Sequence, residues 1–77
     1  MWKKYRIELD ALDLGQILDG LEVRAEAWEK TAEFHRSGKT PDDFLVEECR
    51  DAAEAENIAA HYRSIIGKIL TQRNAQS

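Results

Sequence analysis

The chain contains a single cysteine, Cys49, and a single proline. One cysteine cannot form an internal disulfide, so no covalent cross-link is expected within the domain. No apolar run approaches the ~20 residues that a membrane-spanning helix needs. The first ten residues carry several charges and lack the apolar core of a signal peptide. Together these absences predict a cytoplasmic protein in a reducing compartment.

The chain is also short. Its 77 residues make one small domain, which we expect to span 1–77. A chain of this size buries only about 60% of the surface that its unfolded form exposes. Small domains of this kind commonly depend on a metal, a disulfide or a partner for stability.

Acidic residues are absent from both ends of the chain. Residues 1–7 and residues 57–77 each hold three bases and no acid, whereas residues 8–56 hold all 15 acids and five of the 11 bases. The net charge is −4, and the acidic middle disfavours general binding to nucleic acid because phosphates repel it. Favourable interaction with helix dipoles is an alternative, purely structural reason for this distribution.

Residues 4–9 alternate between apolar and charged side chains, with Tyr5, Ile7 and Leu9 on one side. This period of two predicts a β-strand at about 4–9. A strand needs a partner for its backbone groups, and no second strand is visible in the sequence. We therefore predict a homodimer or a higher homo-oligomer. The alternative is a monomer whose strand folds back over its own helices.

A first helix is predicted at about 13–36. Asp13 followed by Gln16 resembles a capping box, and Asp10 is the competing N-cap. Spacings of three and four residues define an apolar stripe along this helix: Leu14, Leu18, Leu21, Ala25, Trp28, Ala32 and His35.

A turn at 37–41 separates this helix from a second one, predicted at about 41–72 and followed by a frayed tail at 73–77. Gly38 can end the first helix in a left-handed conformation, and Thr40 can cap the second. The apolar stripe of the second helix is Leu45, Cys49, Ala52, Ala55, Ala59, Tyr62, Ile66 and Ile69.

The predicted fold is mainly α: an N-terminal strand followed by an antiparallel two-helix hairpin that is completed by homo-oligomerisation. A turn centred near residue 39 pairs residue i with about 78 − i, since both helices rise ~1.5 Å per residue. Trp28 then lies over Cys49, Ala52 and Ala53. Apolar side chains that one copy cannot cover form the predicted oligomer interface: Tyr5, Ile7, Leu9, Ile58, Ile65 and Ile69.

The acidic stretch at 47–66 does not predict a metal or catalytic site. Its histidine, His61, has no carboxylate three or four residues upstream, the spacing that metal ligands on one helix need. Cys49 lies on the apolar stripe, which favours a small buried hydrophobe over a nucleophile. We expect neither an enzyme nor a cofactor, and no metal.

A basic alternating strand followed by two helices resembles the ribbon-helix-helix DNA-binding proteins, over about residues 3–21. In that family the strands of two chains pair and their polar side chains read the major groove; the corresponding positions here are Lys4, Arg6 and Glu8. The sequence departs from the family in its longer first helix, in a second helix without a basic, serine-rich start, and in its negative charge.

Two carboxylate pairs, Asp19 with Glu22 and Glu26 with Glu29, resemble the Glu-x-x-Glu pairs that hold magnesium in nucleotide pyrophosphohydrolases. They lie off the apolar stripe and alternate with Arg24 and Lys30. An inward-facing metal cluster requires the opposite placement.

The sequence therefore favours a small, acidic, non-enzymatic module that acts as a homo-oligomer and binds another protein. In size and charge it resembles the accessory proteins of phages and mobile elements. The alternative is an oligomer that binds a small anionic ligand, such as a nucleotide, at a basic pole. The predicted ligand-binding residues are Lys3, Lys4, Tyr5, Arg6, Tyr62, Arg63, Lys68 and Arg73.

Overall fold

A computed structural model of the chain describes residues 3–38, 47 and 49–76. It contains two α-helices, α1 (Ala11–Ser37) and α2 (Ala52–Gln76), which pack against each other as a hairpin. Cross-helix ion pairs fix an antiparallel arrangement: Arg36, late in α1, meets Glu56, whereas Glu29, earlier in α1, meets Arg63. The predicted mainly helical hairpin is confirmed.

The predicted strand at 4–9 is wrong. Residues 3–10 belong to neither a helix nor a strand, and the described part of the chain contains no strand. The alternating side chains lack a neighbouring strand to which the backbone can bond. Tyr5 and Ile7 are 76% and 73% exposed. Homo-oligomerisation stays a prediction.

The first helix begins earlier than predicted because Asp10, and not Asp13, is its N-cap. Asp10 has an extended backbone, and its side chain accepts a hydrogen bond of 2.8 Å from the backbone N–H of Asp13. At the other end Gly38 adopts the predicted left-handed conformation, with φ 75°, and its N–H donates to the carbonyl of Phe34 at 2.7 Å. Both ends of α1 therefore follow from local backbone chemistry.

The second helix begins at Ala52, not at about 41, and it continues to Gln76 through most of the tail predicted to fray. Asp51 accepts a hydrogen bond of 2.9 Å from the N–H of Glu54, the contact of an N-cap residue. Residues 47 and 49–51 are not helical. The predicted cap Thr40 lies outside the described residues.

The core of the hairpin consists of Trp28 and Ala32 on α1 against Ala55 and Ala59 on α2. Cys49, Ile58 and Tyr62 pack on it and are partly buried. Described members of both predicted stripes are buried or half-buried, apart from His35. One large ring between small residues allows the helices to approach closely.

The predicted register between the two helices is wrong, although Cys49 does pack against the cluster that contains Trp28. Arg36 pairs with Glu56, whereas a turn at 39 places it near residue 42, and Glu29 pairs with Arg63 instead of lying near Cys49. The reason is the later start of α2: the helices are joined through residues 38–51, so each α1 residue meets a more distant part of α2. Thr31 fixes part of this connection, because its hydroxyl accepts a hydrogen bond of 2.9 Å from the N–H of Glu47.

Candidate binding groove at the open end of the hairpin

A groove of about 860 Å³ lies at the open end of the hairpin, where α1 begins and α2 ends. Residues 5–9 form one wall of it, and the two helices form the rest. Its apolar lining comprises Tyr5, Ile7, Leu9, Ala11, Leu14, Ile17 and Ile69, and its polar lining comprises Glu8, Gln72, Arg73 and Gln76. We refer to it as the open-end groove.

The N-cap of α1 positions the wall of the open-end groove. The extended backbone of Asp10 ends the helix there, so the preceding residues leave the helix axis. Leu9 is still 45% exposed, and Tyr5 and Ile7 are more exposed. The wall therefore offers apolar side chains that the described part of the chain leaves uncovered.

Basic side chains that form no ion pair with other described residues lie in the two segments that meet at this groove. Every described arginine between residues 24 and 63 pairs with a glutamate: Arg24, Arg36, Arg50 and Arg63. By contrast, the bases of the N-terminal segment and of the last turns of α2 form no ion pair with the part of the chain that the structure describes: Lys3, Lys4, Arg6, Lys68 and Arg73. The ammonium of Lys3 lies 5.4 Å from the centre of the Tyr5 ring, within the range of a cation–π contact.

Two of the predicted ligand-binding residues, Tyr5 and Arg73, line the open-end groove. Lys3, Lys4 and Arg6 are exposed on the adjoining segment, and Lys68 is exposed on α2. Arg63 and Tyr62 are not part of the groove lining. The structure thus places the eight predicted residues in two separate regions.

Arg63 joins the two helices in mid-hairpin. Its guanidinium donates to both carboxylate oxygens of Glu29, at 2.9 and 2.8 Å, and also donates to Glu22. Hydrogen bonding to Glu29, and then to Glu22, raises the pKa of Arg63, and the bond from Arg63 lowers the pKa of Glu29 below its ordinary value. A bidentate arginine of this kind is a structural clamp.

Tyr62 packs on the Trp28 cluster. Its interaction with Arg24, followed by the charge of Glu47, raises the pKa of the Arg24 guanidinium. The ring of Tyr62 is therefore committed to the hairpin itself.

A contact between Cys49 and His35 was not predicted from the sequence. The Sγ of Cys49 lies 3.3 Å from Nε2 of His35, and its thiol donates to the backbone carbonyl of Asp51 at 3.6 Å. Each residue falls on the predicted stripe of its own helix, but the predicted register did not bring them together. Within the described residues no group of three metal-ligating side chains converges on this pair or elsewhere.

The comparisons with known proteins do not extend this description. No protein-family model, no curated protein and no solved structure matches the chain. Neither of the two described helices combines the length and hydropathy of a membrane-spanning segment.

Proposed function

We propose that the protein is a non-enzymatic interaction module that binds a protein partner in the open-end groove. The observation that carries this proposal is the uncovered apolar wall, in which Tyr5 and Ile7 keep about three quarters of their surface in water (76% and 73%). Exposed apolar patches next to a groove are typical of binding surfaces.

A second copy of the chain is the competing occupant of the same groove. The apolar wall coincides with three of the predicted interface residues, Tyr5, Ile7 and Leu9, and Ile69 lines the groove opposite them. Self-association through these side chains covers the same surface.

An anionic ligand fits the geometry less well. Arg63 is held by two carboxylates and Tyr62 packs on the core, so neither is free to turn toward a nucleotide in the groove. Only Tyr5 and Arg73, of the predicted ligand-binding residues, line it directly.

The proposal is tested by selecting helical peptides from a displayed random library against the whole protein. The groove variant carries Ile7→Ser and Leu9→Ser. The matched control carries Leu12→Ser and Val23→Ser, which replace side chains that are 72% and 65% exposed outside the groove lining. We expect selected peptides to bind the wild type and the control and to lose affinity for the groove variant.

Sedimentation of the three proteins decides between the two occupants. If the wild type and the control form a concentration-dependent dimer and the groove variant stays monomeric, the occupant of the groove is a second copy of the chain. The proposal fails if no selected peptide distinguishes the groove variant from the control and the wild type sediments as a monomer.

A further inference from the structure

We infer that the occupant of the open-end groove is an acidic amphipathic helix of a partner protein. This inference rests on the proposed function and adds the chemistry of the partner. Its central observation is the distribution of ion pairs over the described residues: the pairs lie in the middle and at the closed end of the hairpin, whereas the unpaired bases lie in the two segments that meet at the groove.

The basic group in the groove lining is Arg73, and Lys4 and Arg6 are exposed on the segment that forms the wall, outside the lining itself. Arg73 shares the lining with Ile69, and Lys4 and Arg6 are sequence neighbours of the wall residues, so we expect the rim of a partner that fills the groove to meet this basic end of the hairpin. Carboxylates on that rim complete ion pairs that the chain does not make internally. Complementary potentials of this kind select partners and speed their association.

The acids near the groove do not neutralise the positive charge of this surface. Glu8 lines the groove, and Asp10 and Asp13 lie at the start of α1, where Asp10 also accepts the N-cap hydrogen bond. The last turns of α2 contribute Lys68 and Arg73, and the sequence has no acid after Glu56. The five bases of these two segments (Lys3, Lys4, Arg6, Lys68 and Arg73) therefore outnumber the three acids of residues 3–13.

The same charges argue against a second copy. In a dimer formed groove to groove across a two-fold axis, both copies bury the same patch, so Lys4, Arg6 and Arg73 of the two copies come together in one interface. Like charges in such an interface repel. A partner of opposite charge avoids this cost.

A helix fits this groove better than a strand does. Strand addition needs the exposed edge of a sheet, and the described residues contain no strand. A helix satisfies its own backbone hydrogen bonds and needs only side-chain contacts, with apolar residues at spacings of three and four. The floor formed by Leu14, Ile17 and Ile69 receives such a stripe.

The test uses two displayed libraries that share the same randomised apolar positions at helical spacing. One library carries glutamate at every exposed position, and the other carries lysine. Affinities of the selected peptides are then measured on whole proteins: the wild type, a charge variant with Arg6→Gln and Arg73→Gln, and a matched control with Arg50→Gln, which removes an exposed charge next to Glu54 at the far end of the hairpin.

We expect binders from the glutamate library, with an affinity reduced about tenfold in the charge variant and unchanged in the control. The difference in affinity between the wild type and the charge variant becomes smaller as the ionic strength rises from about 0.01 M to about 1 M. The reason is that salt screens the charges, since the Debye length falls from ~30 Å to ~3 Å. The lysine library is expected to yield none.

The possible failures are distinct. Binders from the lysine library that require Ile7 and Leu9 overturn the acidic partner and leave the proposed function standing, as do glutamate-library binders that are indifferent to Arg6 and Arg73. If neither library yields a binder that depends on Ile7 and Leu9 and the wild type sediments as a monomer, the inference and the proposed function fail together. If the wild type is instead a dimer that Ile7→Ser and Leu9→Ser dissociate, a second copy is the occupant and the acidic partner is overturned.

Discussion

At the scale of single residues, Thr31 links α1 to the chain that leads into α2. Its side chain is fully buried; the hydroxyl donates to the carbonyl of Ala27 at 2.8 Å and accepts from the N–H of Glu47 at 2.9 Å. Thr31→Val keeps the shape and leaves the N–H of Glu47 without this acceptor. We expect a loss of about 1–3 kcal/mol in the free energy of unfolding, measured by urea denaturation.

The control for this change is Thr71→Val, at an exposed position of α2. It alters the same chemical groups in contact with water and is expected to change stability by less than about 0.5 kcal/mol. Equal effects of the two substitutions contradict the role of Thr31.

The pKa of Glu29 gives a second prediction at this scale. Its bond to Arg63 lowers that pKa from the ordinary value of 4.5, so the ion pair stabilises the fold above this value and is lost as the pH falls through the lower, folded-state pKa. The wild type should therefore lose its advantage over Glu29→Gln as the pH is lowered below 4.5. Melting temperatures of both proteins across that range measure the difference.

The size of this effect is limited because the Glu29 side chain is 44% exposed and water screens the pair. The same comparison in an Arg63→Gln background is the control. If the pH dependence due to Glu29 persists there, Arg63 is not its cause.

At the scale of the helices, two glycines differ in the backbone conformation that they adopt: Gly38 is the C-cap of α1, and Gly20 lies inside α1. Gly38 has φ 75°, a conformation that costs an L-residue about 1–2 kcal/mol. Gly20 lies inside α1, and a Cβ added there meets nothing within 4 Å. We expect Gly38→Ala to destabilise the hairpin by about 1 kcal/mol and Gly20→Ala to stabilise it by about 0.5–1 kcal/mol. Thermal unfolding of both variants measures the two signs, and a stabilising Gly38→Ala contradicts the cap.

Local signals in the sequence were sufficient for much of the helical structure. The apolar stripes and the left-handed Gly38 depend on neighbours within a few residues, and the buried positions Ala25, Trp28, Ala55 and Ala59 all lie on the predicted stripes. The start of α2 was predicted at the proline instead of at Asp51, although Asp51 with Glu54 three residues later is itself a capping pattern. Pro41 and Asp51 both have the sequence pattern of a helix N-terminus, and local chemistry alone does not decide between them.

The contacts between helices were harder to predict because they depend on where α2 begins. Because α2 begins later than predicted, the residues of the two helices that face each other differ from the predicted ones. No local pattern in the sequence therefore indicates the contacts of Arg63 with Glu29 and of Cys49 with His35. Five residues of the groove lining are among the predicted ligand-binding or interface residues: Tyr5, Ile7, Leu9, Ile69 and Arg73. The alternation of residues 4–9, however, was interpreted as a strand. Period-two patterning describes side chains and does not supply the neighbouring backbone that a strand requires.

At the scale of the whole molecule, stability depends on one large side chain. The buried apolar residues in the described part of the chain are four alanines with Trp28 and Ile66. Trp28→Ala removes most of the volume between the helices and should cost about 3–5 kcal/mol, enough to unfold a domain of this size. Circular dichroism at room temperature detects the loss of helix.

Trp28→Phe is the milder comparison. It keeps an aromatic ring and removes Nε1, which is buried and has no hydrogen-bond partner among the described residues. This variant should remain folded. An unchanged melting temperature in Trp28→Ala contradicts the packing described here.

The single thiol of the chain packs against the same tryptophan cluster, at the end of the hairpin that the connection closes. The thiol is only partly buried, so a maleimide reaches it while the hairpin stays folded. The ratio of its alkylation rate in the folded protein to the rate in urea-unfolded protein therefore measures how far the cluster shields the protein's own sulfur, with no engineered cysteine.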